Sequence, residues 1–202
     1  MNLSNNRIRD AANFTGHDNL LTLLMSDNKL AECSGLAAMP KLVELNLNGN
    51  RLTSLTHLRG LGNLKKLEVA RNRMVNLQAF PELPELEHFD ASENKIEADG
   101  EKELANLRDC SNLKMLVMTG NPWVDEKGDD FKKEVLIALD NLNIRRVNDM
   151  EEDFTAEEIG DAKTEKAERE RARLEAEEEA RKAAEEAANN PPAEGEEGEE
   201  QE

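Results

Sequence analysis

The chain has 202 residues, 44 of them acidic and 26 basic, for a formal net charge of −18. That length accommodates one domain, or one domain and an extension. No run of 18 apolar residues occurs and no basic-plus-apolar leader follows Met1, so neither a membrane span nor a secreted protein is expected. Asn2-Leu-Ser and Asn13-Phe-Thr fit the glycosylation sequon, but without a leader they are read as accidents. From Glu151 to the end, 21 acidic residues stand against 7 basic ones; before it the balance is 23 to 19. Neither part shows the basic stripe that phosphate contacts require, so direct nucleic-acid binding is not expected.

An Asn recurs along the chain at Asn6, Asn28, Asn50, Asn72, Asn94 and Asn121, with gaps of 22, 22, 22, 22 and 27 residues. Around Asn50 the frame is Leu42-Val-Glu-Leu-Asn-Leu-Asn-Gly-Asn-Arg-Leu52, or L-x-x-L-x-L-x-x-N-x-L. Leu45 and Leu47 alternate with polar residues, so a short strand turns both inward and leaves Glu44, Asn46 and Asn48 outward. A buried Asn amide after the strand is expected to satisfy backbone groups and to stack on the Asn of the next coil. After each Asn, apolar residues fall at every third position: Leu52, Leu55, Leu58, Leu61 and Leu64 in one unit; Leu30, Cys33, Leu36, Met39 and Leu42 in the one before. Period three suits a tight 3₁₀-like convex side. A fixed period with this frame resembles the leucine-rich repeat, an α/β solenoid with short parallel strands on its concave face. About six units are expected over residues 1–123, right-handed, the first incomplete.

In chain order, Met1 enters the frame at its fourth position. Solenoids ordinarily close their ends with a polar-faced cap, so three readings stand: a C-terminal portion of a longer repeat protein, an end covered by another protein, or a truncated start. His17 occupies an apolar slot and is read as a packing residue. The last unit carries five extra residues, with Glu101–Cys110 expected to be helical. Pro122 stiffens the turn after Asn121, and Trp123 takes the apolar slot. Residues 124–150 are expected to form a helical cap, with Phe131, Val135 and Leu139 on one face and Leu142, Ile144 and Val147 adding apolar surface. Thr155-Ala-Glu-Glu158 is a capping box. It opens a charged helix within residues 151–189, supported by Glu165/Arg169, Glu177/Arg181 and Glu178/Lys182. From the capping box to about Ala188 only Ile159 and Leu174 are large and apolar, so a self-sufficient coiled coil is not expected. Residues 190–202 are expected to be a disordered acidic tail.

No catalytic chemistry is expected. Cys33 and Cys110 sit at apolar positions of non-adjacent coils and read as core thiols. His57 falls on the convex side, and His88 stands near Asp90 without a candidate nucleophile. No cluster has metal-ligand spacing, and no cofactor is expected. Binding is assigned to the concave rows instead. The residues named are Leu24, Glu44, Asn46, Glu68, His88, Asp90, Met115 and Val117: an acidic centre beside an apolar strip at Met115 and Val117. Such a face suits a partner helix or segment with basic residues and a hydrophobic anchor.

The C-terminal half carries a more specific resemblance. Leu104-Ala-Asn-Leu-Arg-Asp-Cys-Ser-Asn-Leu-Lys-Met-Leu-Val117, Asn121-Pro-Trp-Val-Asp-Glu126, Phe131-Lys-Lys-Glu-Val-Leu136 and Glu151-Glu-Asp-Phe-Thr-Ala-Glu-Glu158 resemble the leucine-rich repeat-containing protein 23 family of ciliary radial spokes. The resemblance implies a non-enzymatic scaffold of the axoneme, cytoplasmic and cytoskeletal, in a hetero-oligomeric complex with other radial-spoke proteins and without membrane or direct nucleic-acid contact. The alternatives are a phosphatase regulator and a protein-binding subunit of a ribonucleoprotein.

Overall fold

The computed structural model describes residues 1–14, 16–97 and 100–189. Its first compact unit runs from Met1 to Lys163, and the second begins at Thr164. Six parallel strands build one sheet in chain order: β1 Thr22–Leu24, β2 Glu44–Asn46, β3 Lys66–Glu68, β4 His88–Asp90, β5 Met115–Val117 and β6 Arg146–Val147. The register advances by one repeat at each step, so Leu23, Leu45, Leu67, Phe89 and Leu116 form one buried line, continued by Val147.

The Asn of each frame locks its coil to the one before. Asn72 Nδ2 donates to Val69 O (2.8 Å) in its own coil and to Leu47 O (3.0 Å) in the preceding one, and its Oδ1 accepts the Leu52 N–H (3.0 Å). Asn28, Asn50, Asn94 and Asn121 repeat this three-way pattern. All five are buried. The residue before each Asn is left-handed: Asn5, Asp27, Gly49, Arg71, Glu93 and Gly120, with φ of 59°, 53°, 66°, 54°, 50° and 69°. That turn aims the amide back into the stack. At Gly49 a Cβ would collide with Asp27 Oδ1. The bare backbone there leaves room for Asp27 to meet Arg71 across it at 3.6 Å.

The every-third-residue pattern has a direct backbone counterpart. Leu58 N–H donates to Leu55 O (2.9 Å), Leu61 to Leu58 (3.4 Å) and Leu64 to Leu61 (3.0 Å), and Leu36, Leu42, Phe80 and Leu86 do the same with their own third-preceding residues. Each such turn brings the next apolar side chain inward, and a 3₁₀ helix is fully formed at Thr56–Leu58. The five-residue expansion becomes α1, Gly100–Ala105. It is tied to the previous coil by the buried Glu103 carboxylate, which accepts the Leu77 N–H.

Two features at the C-terminal end differ from the sequence reading. Pro122 does not merely stiffen a turn; it starts α2, Pro122–Lys127, because a first-turn residue needs no N–H donor. The cap is also not all helical. After α3, Asp130–Ala138, the chain returns as β6 and pairs with β5. Trp123 and Phe131 meet edge to face at 5.1 Å beneath it, and Arg108 Nε donates to Ala138 O (2.9 Å). Asn148 ends the stack, its Oδ1 accepting the Met118 N–H at 2.9 Å.

The helix α4, Ala156–Asn189, begins at the expected capping box: Thr155 N–H donates to Glu158 Oε2 (2.8 Å) and Glu158 N–H to Thr155 Oγ1 (3.2 Å). Ala162 in its second turn is buried. Within the second unit, Glu165/Arg169 and Glu178/Lys182 pair at 2.6 and 2.8 Å, but Glu177 pairs with Arg173 (3.5 Å) and not with Arg181. Leu174 is 55% exposed, so it has no seam to join. The expected tail at 190–202 lies outside the described residues.

Because the amide bonds connect coils, their loss is expected to scale with position. Asn72→Ala strands the buried Leu52 N–H, at about 1–3 kcal/mol, and leaves Val69 O and Leu47 O to the neighbouring Asn94 and Asn50 amides. It should lower unfolding stability by roughly 2 kcal/mol. Asn6 is exposed and bonds only to Leu3 O and Ser4 O of its own coil, so Asn6→Ala should cost under about 1 kcal/mol. Urea denaturation of the two variants checks the difference.

Candidate functional site

In each of β1 to β5 the middle residue is buried and its two neighbours are half-buried on the other face. The register therefore sets two parallel rows across the sheet. One is Leu24, Asn46, Glu68, Asp90 and Val117; the other is Thr22, Glu44, Lys66, His88, Met115 and Arg146. All eight residues named from sequence lie on this open face. Adjacent strands are about 4.8 Å apart, so Leu24 and Val117 stand roughly 19 Å from each other.

The acidic centre is not bare. Lys66 Nζ lies 3.5 Å from Glu44 Oε1 and 3.0 Å from Glu68 Oε1, and Asn46 Nδ2 donates to Glu68 Oε2 at 2.7 Å. Asp90 Oδ1 accepts both the Ser92 N–H (2.9 Å) and the Ser92 hydroxyl (2.7 Å). These bonds fix the rotamers of the three carboxylates, so a ligand meets a preset pattern. Lys66 reduces their net charge but does not cancel it. His88 stands between Lys66 and Met115, and burial, reinforced by the Lys66 ammonium, holds its imidazole below the ordinary range. Beside the rows, Glu87 bridges Lys65 (2.9 Å) and Lys114 (2.7 Å), and those bonds bring its carboxyl down to about 2.

The thiols lie away from this face. Cys33 and Cys110 are free and buried, and burial pushes both up to about 11. His17 packs on the Phe14 ring at 4.5 Å, and His57 sits in the 3₁₀ turn. Among the described residues no group of three or more His, Cys, Asp or Glu could hold a metal ion, and no helix is long and apolar enough to cross a membrane.

Sequence reasoning missed two features. Arg146 extends the second row beyond Met115, with Asp153 at 3.3 Å from its Nε. The two-residue strand that carries it has no full repeat frame, only Val147 and Asn148 in the places of a strand apolar residue and a capping Asn. The second is a basic stripe that the sequence reading held to be absent. The residue after each of the first five Asn is Arg7, Lys29, Arg51, Arg73 and Lys95, and stacking brings these five together although they are far apart in the chain. Their recurrence at the marker was the available signal.

Comparison with known proteins agrees with this geometry. Residues 18–60 match the family described as Leucine Rich repeats (2 copies), and residues 40–96 match Leucine rich repeat. An internalin of Listeria monocytogenes superposes with a TM-score of 0.56 at 20% identity, over 71% of this chain and 38% of its own. A leucine-rich-repeat protein of Leptospira interrogans reaches a TM-score of 0.47 at 29% identity, over 62% of this chain and 30% of its own. This chain thus spans well under half of either. No curated protein matches the sequence. The fold is that of the leucine-rich repeat, and residues 18–96 are such repeats.

Thiols raised this far and enclosed in the core carry no nucleophile at neutral pH. In the folded protein at pH 8, Cys33 and Cys110 are expected to resist a thiol-reactive disulfide reagent, and both should react at once in denaturant. Rapid labelling of the native chain would contradict their placement.

Proposed function

We propose that this protein is a non-enzymatic scaffold that grips a partner protein on the open face of its sheet. The observation that carries this reading is the register that aligns Glu44, Glu68 and Asp90 beside Met115 and Val117. Three oriented carboxylates against one Lys66 leave an acidic centre, and the two half-buried apolar side chains next to it offer a seat for a hydrophobic anchor. A partner helix or segment with basic residues and one apolar anchor complements both features. The resemblance of residues 104–158 to the ciliary family supports the cellular assignment: a radial-spoke subunit of the axoneme, in a hetero-oligomeric complex, with α4 serving a second contact.

The bonds at the site dictate how it is tested. Asp90→Lys would break the Ser92 turn, whereas Asp90→Asn keeps the acceptor and removes only the charge. The triple variant Glu44→Gln, Glu68→Gln and Asp90→Asn therefore neutralises the face and keeps the Ser92 turn, while residue 68 gives up one of its two acceptor contacts. In pull-downs from ciliated-cell extract the wild-type chain should recover radial-spoke proteins, and the triple variant should recover at least about tenfold less. Its unfolding midpoint should stay near wild type. Equal recovery by both would overturn the role of the face. Recovery of a phosphatase catalytic subunit or of splicing factors in place of spoke proteins would overturn the axonemal assignment and leave the binding face standing.

A further inference from the structure

The stripe after the Asn ladder has no place in the reading above, and its charge pattern is unlike any other row. Arg7, Lys29, Arg51, Arg73 and Lys95 follow Asn6, Asn28, Asn50, Asn72 and Asn94 in five successive coils. Each is flanked by residues of the frame that turn inward, the next being Ile8, Leu30, Leu52, Met74 or Ile96, so alternation turns the cation outward. Backbone bonds stack the five in line: Lys29 N–H donates to Ile8 O (2.8 Å), Arg51 to Leu30 O (2.8 Å), Arg73 to Leu52 O (2.9 Å) and Lys95 to Met74 O (2.8 Å).

Rows beside the strands manage charge by alternating it across coils. Lys65, Glu87 and Lys114 pair in sequence, as do Glu44 and Lys66. The stripe does the reverse, placing five cations at neighbouring positions with no carboxylate among them. Like charges directly opposite on adjacent strands destabilise a sheet, and the same cost applies to a stack of coils at this spacing. No ion pair or side-chain hydrogen bond relieves any of the five among the described residues. A chain of net charge −18 thus keeps a line of positive charge without ion pairs on one flank of its solenoid.

We propose that this stripe is a binding site for an extended acidic segment of a partner protein, separate from the open face of the sheet. Four coil steps at about 4.8 Å give a line of roughly 19 Å, the length of about six extended residues. Side chains on one edge of such a segment recur about every 6.8 Å, so three carboxylates at alternate positions span about 14 Å and lie within the line of cations. A continuous phosphate backbone fits less well. The described aromatic side chains belong to the core or pack against it, which leaves no platform on which bases could stack.

The test uses the full chain with a labelled peptide of about ten residues alternating Glu and Ser, followed by fluorescence anisotropy in about 50 mM salt, within reach of an unscreened surface field. Saturable binding is expected. Arg51→Glu with Arg73→Glu should weaken it at least about tenfold, and Arg51→Gln with Arg73→Gln by a smaller factor. Lys41→Glu with Arg59→Glu makes the same change in net charge elsewhere and should leave binding within about twofold. Absence of saturable binding, or equal losses in the stripe and control variants, would overturn the proposal. Tighter binding of a single-stranded oligothymidylate of similar length would overturn it in favour of a nucleic-acid site.

Discussion

Everything in the first unit depends on one side-chain amide repeated coil after coil. A three-residue strand cannot hold a coil in place, since it contributes only a few ladder bonds and its turn leaves carbonyls and N–H groups inside the fold. The Asn supplies two donors and an acceptor at that point, and it spends them on two coils at once. Register between coils is thereby set by hydrogen bonds at the turn as much as by the leucines. Val69 O serves both Asn72 and Asn94. Met25, Leu47 and Ala91 O are likewise shared between successive amides. The ladder is continuous, and its geometry has little freedom to vary.

That rigidity explains how short coils can present surfaces of fixed geometry. Once the coils are locked, any residue at a given frame position becomes one rung of a row about 4.8 Å from the next. The chain writes binding surfaces as columns, each a separate choice of side chains. On the open face the column choice is mixed: carboxylates held by Lys66, Asn46 and Ser92, followed by Met115 and Val117. On the flank after the Asn it is uniformly cationic. The two surfaces differ in sign and suit partners of opposite charge. The left-handed turn before each Asn separates them.

How much of this was legible in sequence follows from the same logic. The strands, the buried line through Leu23, Leu45, Leu67, Phe89 and Leu116, the open-face rows and the capping box at Thr155 all have local or strictly periodic signatures. Where the period failed, so did the reading. Pro122 reads in sequence as a stiff turn, although the first position of a helix accepts it equally. The strand at Arg146–Val147 lies 31 residues beyond its partner positions on β5 and lacks the frame, so it read as part of a helical cap. Lys66 was seen, but a one-dimensional row of letters does not show its ammonium reaching both Glu44 and Glu68. The basic stripe was missed for a different reason. Charge was weighed along the chain, where 22 residues separate neighbouring cations, whereas the fold weighs it down the stack.

The central claim is that the Asn ladder makes the coils a single cooperative body on which the surface rows depend. Amide hydrogen exchange of the Leu30, Leu52, Met74 and Ile96 N–H groups, each bonded to the Asn Oδ1 of the following coil, tests it most directly. All four should exchange slowly, at a common rate set by global unfolding. Rates that differ coil by coil, or fast exchange at any of the inner positions, would show that the coils open independently and would contradict the account.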